Sequence, residues 1–310
     1  VQLPAAWREA IIDHAAQFAG RDLQAAAGQI SAAYREGQMP LRRAEVWYVA
    51  YGLVRVPATY AAARRALAIA DLPAPATVLD LGAGPGVFSL AATQHFSQPL
   101  ETQLIDSDPR WREFGERWSG APSHYRVTDL RRVELTPHDC VSFCYSLGEI
   151  ADWEPLLARA WQAATQALVI IEPGTPERFA RLLDVRTWLL NHGAYLAAPC
   201  PGAYPCPLRD PDWCHFGARV ERTALHRRLK QGELSYEDEK FCFLAATREP
   251  RVNPPSRIIR RPSRDPGLIQ LTLCRDGQSV LHRVPKRHHD EFRVARKAEW
   301  GDAYRTVNSH

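Results

Sequence analysis

Three sets of residues in this 310-residue chain have types and spacings that suit chemistry. The first is Val78-Leu-Asp-Leu-Gly-Ala-Gly-Pro-Gly86. An apolar run delivers Asp80 to a loop whose glycines, Gly82, Gly84 and Gly86, let the backbone turn sharply and approach a ligand closely. A nicotinamide fingerprint needs a further glycine at 87, where Val87 stands. An acid just ahead of such a loop repels pyrophosphate and suits a cationic amino-acid ligand. Asp106 ends the next apolar run, where a carboxylate can accept from ribose hydroxyls.

The second set lies in a proline-rich segment, Ala198-Pro-Cys-Pro-Gly-Ala-Tyr-Pro-Cys-Pro-Leu-Arg-Asp-Pro-Asp-Trp-Cys214. Prolines 199, 201, 205 and 207 forbid helix and stiffen the loop. Cys200, Cys206 and Cys214 on such a loop suit metal ligation. His215, Cys242 and Cys274 are the candidates for a fourth ligand. Cys242 sits in an apolar strand and reads as core. Cys274 ends a predicted strand, Leu268–Leu273, before an Arg-Asp-Gly turn, and is the preferred choice. Four thiolates suit tetrahedral zinc or an iron–sulfur cluster. No close C-x₂₋₄-C pair is present, and the spacing leaves both open. Seven cysteines, an odd number, in a chain expected to be intracellular argue against a disulfide framework. Cys140 and Cys144 lie in an apolar run and read as core.

The third set is a charge block. The chain carries a net +4, but Arg251 to Lys297 holds 12 Lys or Arg against 4 acids. A basic tail on a mildly acidic body points to a polyanion partner. Arg257, Arg260, Arg261, Arg264, Arg283, Lys286 and Arg287 are the candidate phosphate contacts. The Pro254–Pro266 stretch reads as an exposed loop. Basic residues are almost all arginine, with 4 lysines, which suggests a GC-rich bacterial genome.

The elements that position these sets follow from periodicity. Residues 1–75 read as helices, with apolar spacing from Trp7 to Phe18 and from about Asp22 to Arg35, ending at Gly37. A further run covers Arg43 to Val54, and Pro57 opens a fourth. From Thr77 the pattern alternates. Strands are predicted at Thr77–Leu81, Gln103–Asp106, Tyr125–Thr128, Cys140–Tyr145, Ala167–Ile171 and Lys240–Ala246. Helices are predicted at Val87–Phe96, Trp111–Trp118, Glu154–Ala164 and Glu177–His192. Alternation of this kind means a parallel sheet covered on both faces. The expected organisation is a helical region over 1–75, an α/β core over 76–250 holding the cysteine loop at 198–216, and a basic β-rich module over 251–310. Hydrophobic residues at 45% exclude global disorder, and no apolar stretch is long enough to span a membrane. The opening residues lack the basic-then-apolar order of a secretory signal, so a cytoplasmic protein, a monomer, is expected.

The glycine loop with Asp80 and Asp106 resembles motifs I and II of the class I S-adenosylmethionine-dependent methyltransferases. The resemblance implies a Rossmann-like core. It also implies cofactor contacts from Asp80, Gly82, Ala83, Gly84, Gly86, Asp106, Asp129 and Tyr145. Amino-methylating members carry Asn or Asp, two prolines and an aromatic after the fourth strand. Here the run is Tyr145-Ser-Leu-Gly-Glu149, so the catalytic residue is unassigned.

Most of the chain is similar to the methyltransferase-like proteins of the small ribosomal subunit, found in bacteria and mitochondria. The likeness rests on Arg55-Val-Pro-Ala-Thr-Tyr60, the glycine loop, Ser146-Leu-Gly-Glu149 and Glu172-Pro-Gly-Thr-Pro176. It continues through Ala198-Pro-Cys-Pro201, Cys206-Pro207, Asp212-Trp-Cys-His-Phe216, Tyr236-Glu-Asp-Glu-Lys-Phe241 and Trp300-Gly-Asp302. It implies a [4Fe–4S] cluster on Cys200, Cys206, Cys214 and Cys274, and small-subunit ribosomal RNA as partner. Two functions follow: an rRNA methyltransferase, or an assembly factor that keeps the pocket and metal site without catalysis. A small-molecule methyltransferase would leave the basic tail unexplained.

Overall fold

The computed structural model describes residues 1–36, 44–121 and 123–306. Four helices open the chain: α1 (Ala5–Ala15), α2 (Gly20–Glu36), α3 (Glu45–Val54) and α4 (Val56–Ala70). The expected helix end at Gly37 and start at Arg43 lie outside the described residues. Helix α4 takes Pro57 in its first turn and stops where Asp71 turns left-handed, φ 48°.

Alternation then begins: β1 (Thr77–Leu81), α5 (Val87–Phe96), β2 (Glu101–Asp106), α6 (Pro109–Ser119), β3 (His124–Val127) and β4 (His138–Cys144). A 3₁₀ turn at Leu147–Glu149 leads to α7 (Glu154–Ala163), β5 (Ala164–Pro173), α8 (Pro176–Asn191) and β6 (Tyr195–Ala198). After the cysteine loop come β7 (Phe216–Glu221), α9 (Ala224–Lys230) and β8 (Tyr236–Thr247). Prolines in the first turns of α6, α7 and α8 set the helical φ, and Asp108 and Thr175 cap α6 and α8 by accepting from the backbone of Arg110 and Arg178.

These strands form one sheet in the order β3-β2-β1-β4-β5-β8-β6, with β7 also on β8. The first five run parallel, and β8 is antiparallel to β5, β6 and β7. This is the Rossmann-like arrangement of the class I methyltransferases. The order of strands across the sheet reverses between β1 and β4, so a crevice opens at the carboxyl ends of those two strands.

Both faces of the sheet are covered. One face carries α4 and α5 in a core that runs from Leu3 to Ala245 without a break. Fully buried Ala58, Ala61, Ala62 and Ala66 keep α4 thin enough to lie close to the sheet. The helical region therefore shares the core of the sheet it was expected to precede. The other face buries α7 and α8 against Leu168, Ile170, Leu244 and Ala246.

The C-terminal sheet holds β9 (Arg257–Ile258), β10 (Ser263–Asp265), β11 (Leu268–Arg275) and β12 (Gln278–Pro285), followed by α10 (His289–Ala295). Asp276 and Gly277, both at positive φ, make the tight turn between β11 and β12. The expected exposed loop at Pro254–Pro266 is corrected here. It contains β9 and β10, and Ser256 to Ile259 are buried against Tyr304 and β11. Cys274 likewise lies within β11 and pairs with Arg257 across the ladder. Among the described residues, no helix is long and apolar enough to cross a membrane.

Candidate active site

The β1–α5 loop is stitched to β2. The N–H groups of Gly82 and Ala83 both donate to Ile105 O, at 2.8 and 3.1 Å. Gly84 N donates to Asp106 Oδ2 at 2.9 Å, and Tyr125 Oη donates to Gly84 O. The glycines serve different ends. A Cβ on Gly82 would meet Ser146 Cβ at 2.4 Å, and one on Gly86 would meet Leu104 at 2.6 Å. A Cβ on Gly84 would meet nothing within 4 Å. Two glycines thus permit packing, and Gly84 faces open space.

That space is a cavity of about 980 Å³. Its floor is Gly82, Ala83 and Gly84, and Asp106, Asp129 and Leu130 form one end. Tyr34, Trp47, Tyr51 and Trp111 form an aromatic wall, and Cys144, Tyr145 and Ser146 close the β4 edge. Of the expected cofactor residues, Gly82, Ala83, Gly84, Asp106, Asp129 and Tyr145 meet here. Gly86 and Asp80 do not line the cavity. Asp80 is fully buried beneath the loop, where Ser142 and Ser89 donate to its carboxylate at 3.0 and 3.2 Å. Burial pushes its pKa up to about 6. The expectation of a ligand contact from Asp80 is corrected: its hydroxyl partners come from β4 and α5, and they hold it inside. Asp129 is tied to Arg131 at 2.6 Å, which draws its carboxyl down to about 2.

Cys140 is buried as expected, but Cys144 faces the cavity. Glu172, also buried, accepts from Gly148 N at 2.9 Å, and burial pushes it up to about 7. Arg178 donates to Gly148 O, so the turn carrying Glu149 is held from both sides. Sequence reasoning missed the residues behind Tyr145. Arg55 and Glu239 form a two-pronged ion pair, at 2.8 and 3.1 Å, and Tyr145 Oη donates to Glu239 Oε1 at 2.9 Å. Both residues sat in quoted motifs, but nothing in a linear sequence joins positions 184 apart.

A second, smaller cavity of about 40 Å³ lies between α8, the cysteine loop and the C-terminal sheet. Cys200, Cys206, Cys214 and Cys274 all line it, and so does Cys242, together with Phe179, Leu208 and Ile259. Burial raises the Cys214 thiol well above its ordinary value, and the nearby thiols of Cys200, Cys206 and Cys274 add to the effect. Cys274 is pushed up to about 12 by the same causes. Among the described residues, no three or more His, Cys, Asp or Glu side chains form a group that could hold a metal ion. The four expected thiols share one apolar wall without closing on a point. The donor chemistry therefore suits a thiolate-bound group, but the spacing is not that of a formed site. His215 stacks on Trp213 instead of facing this cavity.

The basic residues divide. Arg257 is buried and donates to the carbonyls of Pro199, Ile69 and Gly301, so it is withdrawn from any phosphate. Arg260 pairs with Asp212, Arg261 with Asp238 and Arg264 with Glu299. Arg283, Lys286 and Arg287 are exposed.

Comparison with solved structures finds distant likenesses. A candidate RNA methyltransferase from Pyrococcus horikoshii is 15% identical, with 61% of this chain and 83% of that chain covered, at a TM-score of 0.41. The plantazolicin methyltransferase BpumL, in complex with S-adenosylhomocysteine, is 11% identical, covering 78% and 99%, at 0.38. Magnesium protoporphyrin IX methyltransferase from Synechocystis PCC 6803, with bound S-adenosylmethionine, is 13% identical, covering 68% and 87%, at 0.37. No curated protein matches the chain. One family profile matches residues 45–305, and its description is mitochondrial, where the arginine-rich sequence suggested a bacterial cytoplasm. Since that match takes in nearly all of the α/β core and the C-terminal sheet, the chain belongs to the family described as mitochondrial small ribosomal subunit Rsm22.

Proposed function

We propose that this chain is an S-adenosylmethionine-dependent methyltransferase that acts on the RNA of the small ribosomal subunit. The observation that carries this reading is the cavity at the β1–β4 crevice, where Gly84 opens to space and Asp106 stands at the loop's edge in a small-subunit family member. When bound there, S-adenosylmethionine supplies an activated methyl group. Gly82–Gly84 would run beneath it, and Asp106 would accept from its ribose. The aromatic wall and the β4 edge would orient the acceptor and exclude water. Calorimetry on the intact protein tests the pocket: S-adenosylmethionine should bind, and Gly84→Val should abolish binding. No heat and no thermal shift with wild type would leave the second reading, a non-catalytic assembly factor. That reading is favoured by the absence of an Asn/Asp-Pro-Pro-aromatic run after β4.

We further propose a [4Fe–4S] cluster on Cys200, Cys206, Cys214 and Cys274, with an architectural role. Three thiols from the cysteine loop and one from β11 on one cavity support it. A single tetrahedral zinc, which draws its sulfurs to about 2.3 Å, suits the open spacing less well. Anaerobically purified protein should contain iron and sulfide in equal amounts; one stoichiometric zinc would exclude the cluster.

RNA contact falls to Arg283, Lys286 and Arg287, since the other candidates are engaged within the chain. Reversing these three to Glu should flatten the salt dependence of binding to small-subunit RNA by roughly 0.7–0.9 in log–log slope per phosphate lost. An unchanged slope would move the docking surface elsewhere.

A further inference from the structure

Tyr145 occupies the position that follows β4, and its backbone is in the left-handed region, φ 60°. A tyrosine there is strained and persists only where the surroundings fix it. Three contacts do so. Tyr145 N donates to Ile171 O at 2.7 Å, Ser146 Oγ donates to Leu81 O at 2.7 Å, and Tyr145 Oη donates to Glu239 Oε1 at 2.9 Å. Tyr145 lines the cavity, whereas Glu239 and Arg55 are not among its lining residues. The carboxylate therefore reaches the cavity through the tyrosine. Its other partner is the Arg55 guanidinium, which lies 4.1 Å over the Tyr34 ring. Tyr34 Oη is in turn 3.1 Å from Tyr51 Oη. With its proton given to Glu239, the Tyr145 oxygen keeps its lone pairs for a donor in the cavity.

We propose that Tyr145 is the catalytic residue that receives the proton of the methyl acceptor, and that Glu239, positioned by Arg55, receives the proton of Tyr145. The proposal rests on the methyltransferase reading and names its acceptor class: an atom that still carries hydrogen, an N–H or O–H. The bond formed joins that atom to the methyl carbon, and the bond broken is carbon–sulfur, whose electron pair returns to sulfur. The acceptor's proton passes to Tyr145 Oη as the phenolic proton passes to the Glu239 carboxylate. The sulfonium cation and the carboxylate anion are both neutralised. The acceptor's proton becomes strongly acidic as the new bond forms, so a carboxylate suffices to take up the relayed proton. Burial holds the Tyr145 hydroxyl well above its ordinary pKa, so it enters the reaction protonated. The charged and titratable groups around this relay are Arg55, Glu239, Tyr34, Tyr51, Cys144 and Glu149.

The test uses the full chain, purified small-subunit particles and S-adenosylmethionine with a tritiated methyl group. Tyr145→Phe should lower single-turnover transfer by about 100-fold or more while leaving S-adenosylmethionine affinity within about twofold of wild type. Glu239→Gln should lower transfer by a similar factor at unchanged S-adenosylmethionine affinity, and Glu239→Asp should restore part of the rate. Arg55→Lys should lower transfer less than Glu239→Gln does, because a point charge orients the carboxylate less well than the guanidinium fork but leaves it in place. Transfer at the wild-type rate by Tyr145→Phe or by Glu239→Gln overturns the relay. If Glu239→Gln does not fold, Tyr145→Phe decides alone. Wild type that binds S-adenosylmethionine and transfers no methyl overturns the methyltransferase reading, and the relay with it.

Discussion

The two cavities differ in how the chain makes them. The larger is built at the ends of adjacent parallel strands, and its floor is one contiguous strand–loop–helix unit. It is wide and lined with polar groups. The smaller is assembled from α8, a loop and two sheets, with Cys200 and Cys274 in different structural layers. Its walls are apolar, and Cys200, Cys206, Cys214 and Cys274 are half-buried in them. The first can stand filled with solvent. The second gathers sulfur against apolar walls, where burial disfavours the thiolate form of Cys214 and Cys274. A local unit can thus lay the floor of a pocket that other elements wall in, whereas the long-range assembly depends on what its thiols hold.

The strongest test of that contrast is Cys214→Ser. With a thiolate-bound group in place, ligand binding energy is folding energy, so the variant should lose its iron and more than about 5 kcal/mol of stability. If urea unfolding of wild type as purified anaerobically and of the variant differs by only about 1 kcal/mol, the cysteine cavity is an ordinary apolar core.

Arg257→Met comes next. It leaves three carbonyls, on Pro199, Ile69 and Gly301, without their donor. The expected loss is about 3 kcal/mol in urea unfolding, with RNA binding little changed. A stable variant with weakened RNA binding would return Arg257 to the surface role that its basic surroundings suggested.

On the side of the large cavity, Asp80 gives a pH signature of similar size. Its pKa is about 6 in the fold, above the ordinary 3.8. Burial therefore favours the protonated form. The stability from this group is fully present below about pH 4 and is lost as pH rises through about 6, a span of about 3 kcal/mol. Asp80→Asn should flatten urea midpoints across that window, leaving the shallower slope of Glu172, which extends to about pH 7. An unchanged profile would mean that Asp80 is wetted, as a ligand-facing carboxylate would be.

Gly84→Val should have the smallest effect on folding. The left-handed φ of 53° costs roughly 1–2 kcal/mol for a valine, and nothing stands within 4 Å of its Cβ. S-adenosylmethionine binding should nonetheless vanish. A variant that binds normally would place the cofactor elsewhere.

Legibility in the sequence follows the same divide. The order of β1 to β5, the glycine loop and the cap helices were readable, because each depends on neighbours within about ten residues. The orientation of Asp80 was not, because Ser89 and Ser142 decide it from other elements. Arg257 read as exposed because it stands in a basic run. Its burial comes from β9 pairing with Cys274 and from carbonyls that no local pattern announces. Strand β7 did carry a signal. Phe216, Ala218 and Val220 alternate inward, but the strand follows the proline-rich loop so closely that no element is assigned to it from the sequence. The pairing of Arg55 with Glu239 spans 184 positions and needed the fold to be seen.

Strand β8 has a mechanical consequence for both cavities. Its odd-numbered residues Phe241, Phe243 and Ala245 face one core and its even-numbered Cys242, Leu244 and Ala246 the other. Glu239 therefore stands on one side of a ribbon whose opposite side presents Cys242, and a shift of a single residue exchanges the sides. Such a slip would bring Lys240 or Asp238 to Arg55, turn Cys242 away from the other sulfurs, and disable both cavities at once. The three strands that grip β8, on its two edges, are the gauge blocks that set the alignment of the whole molecule.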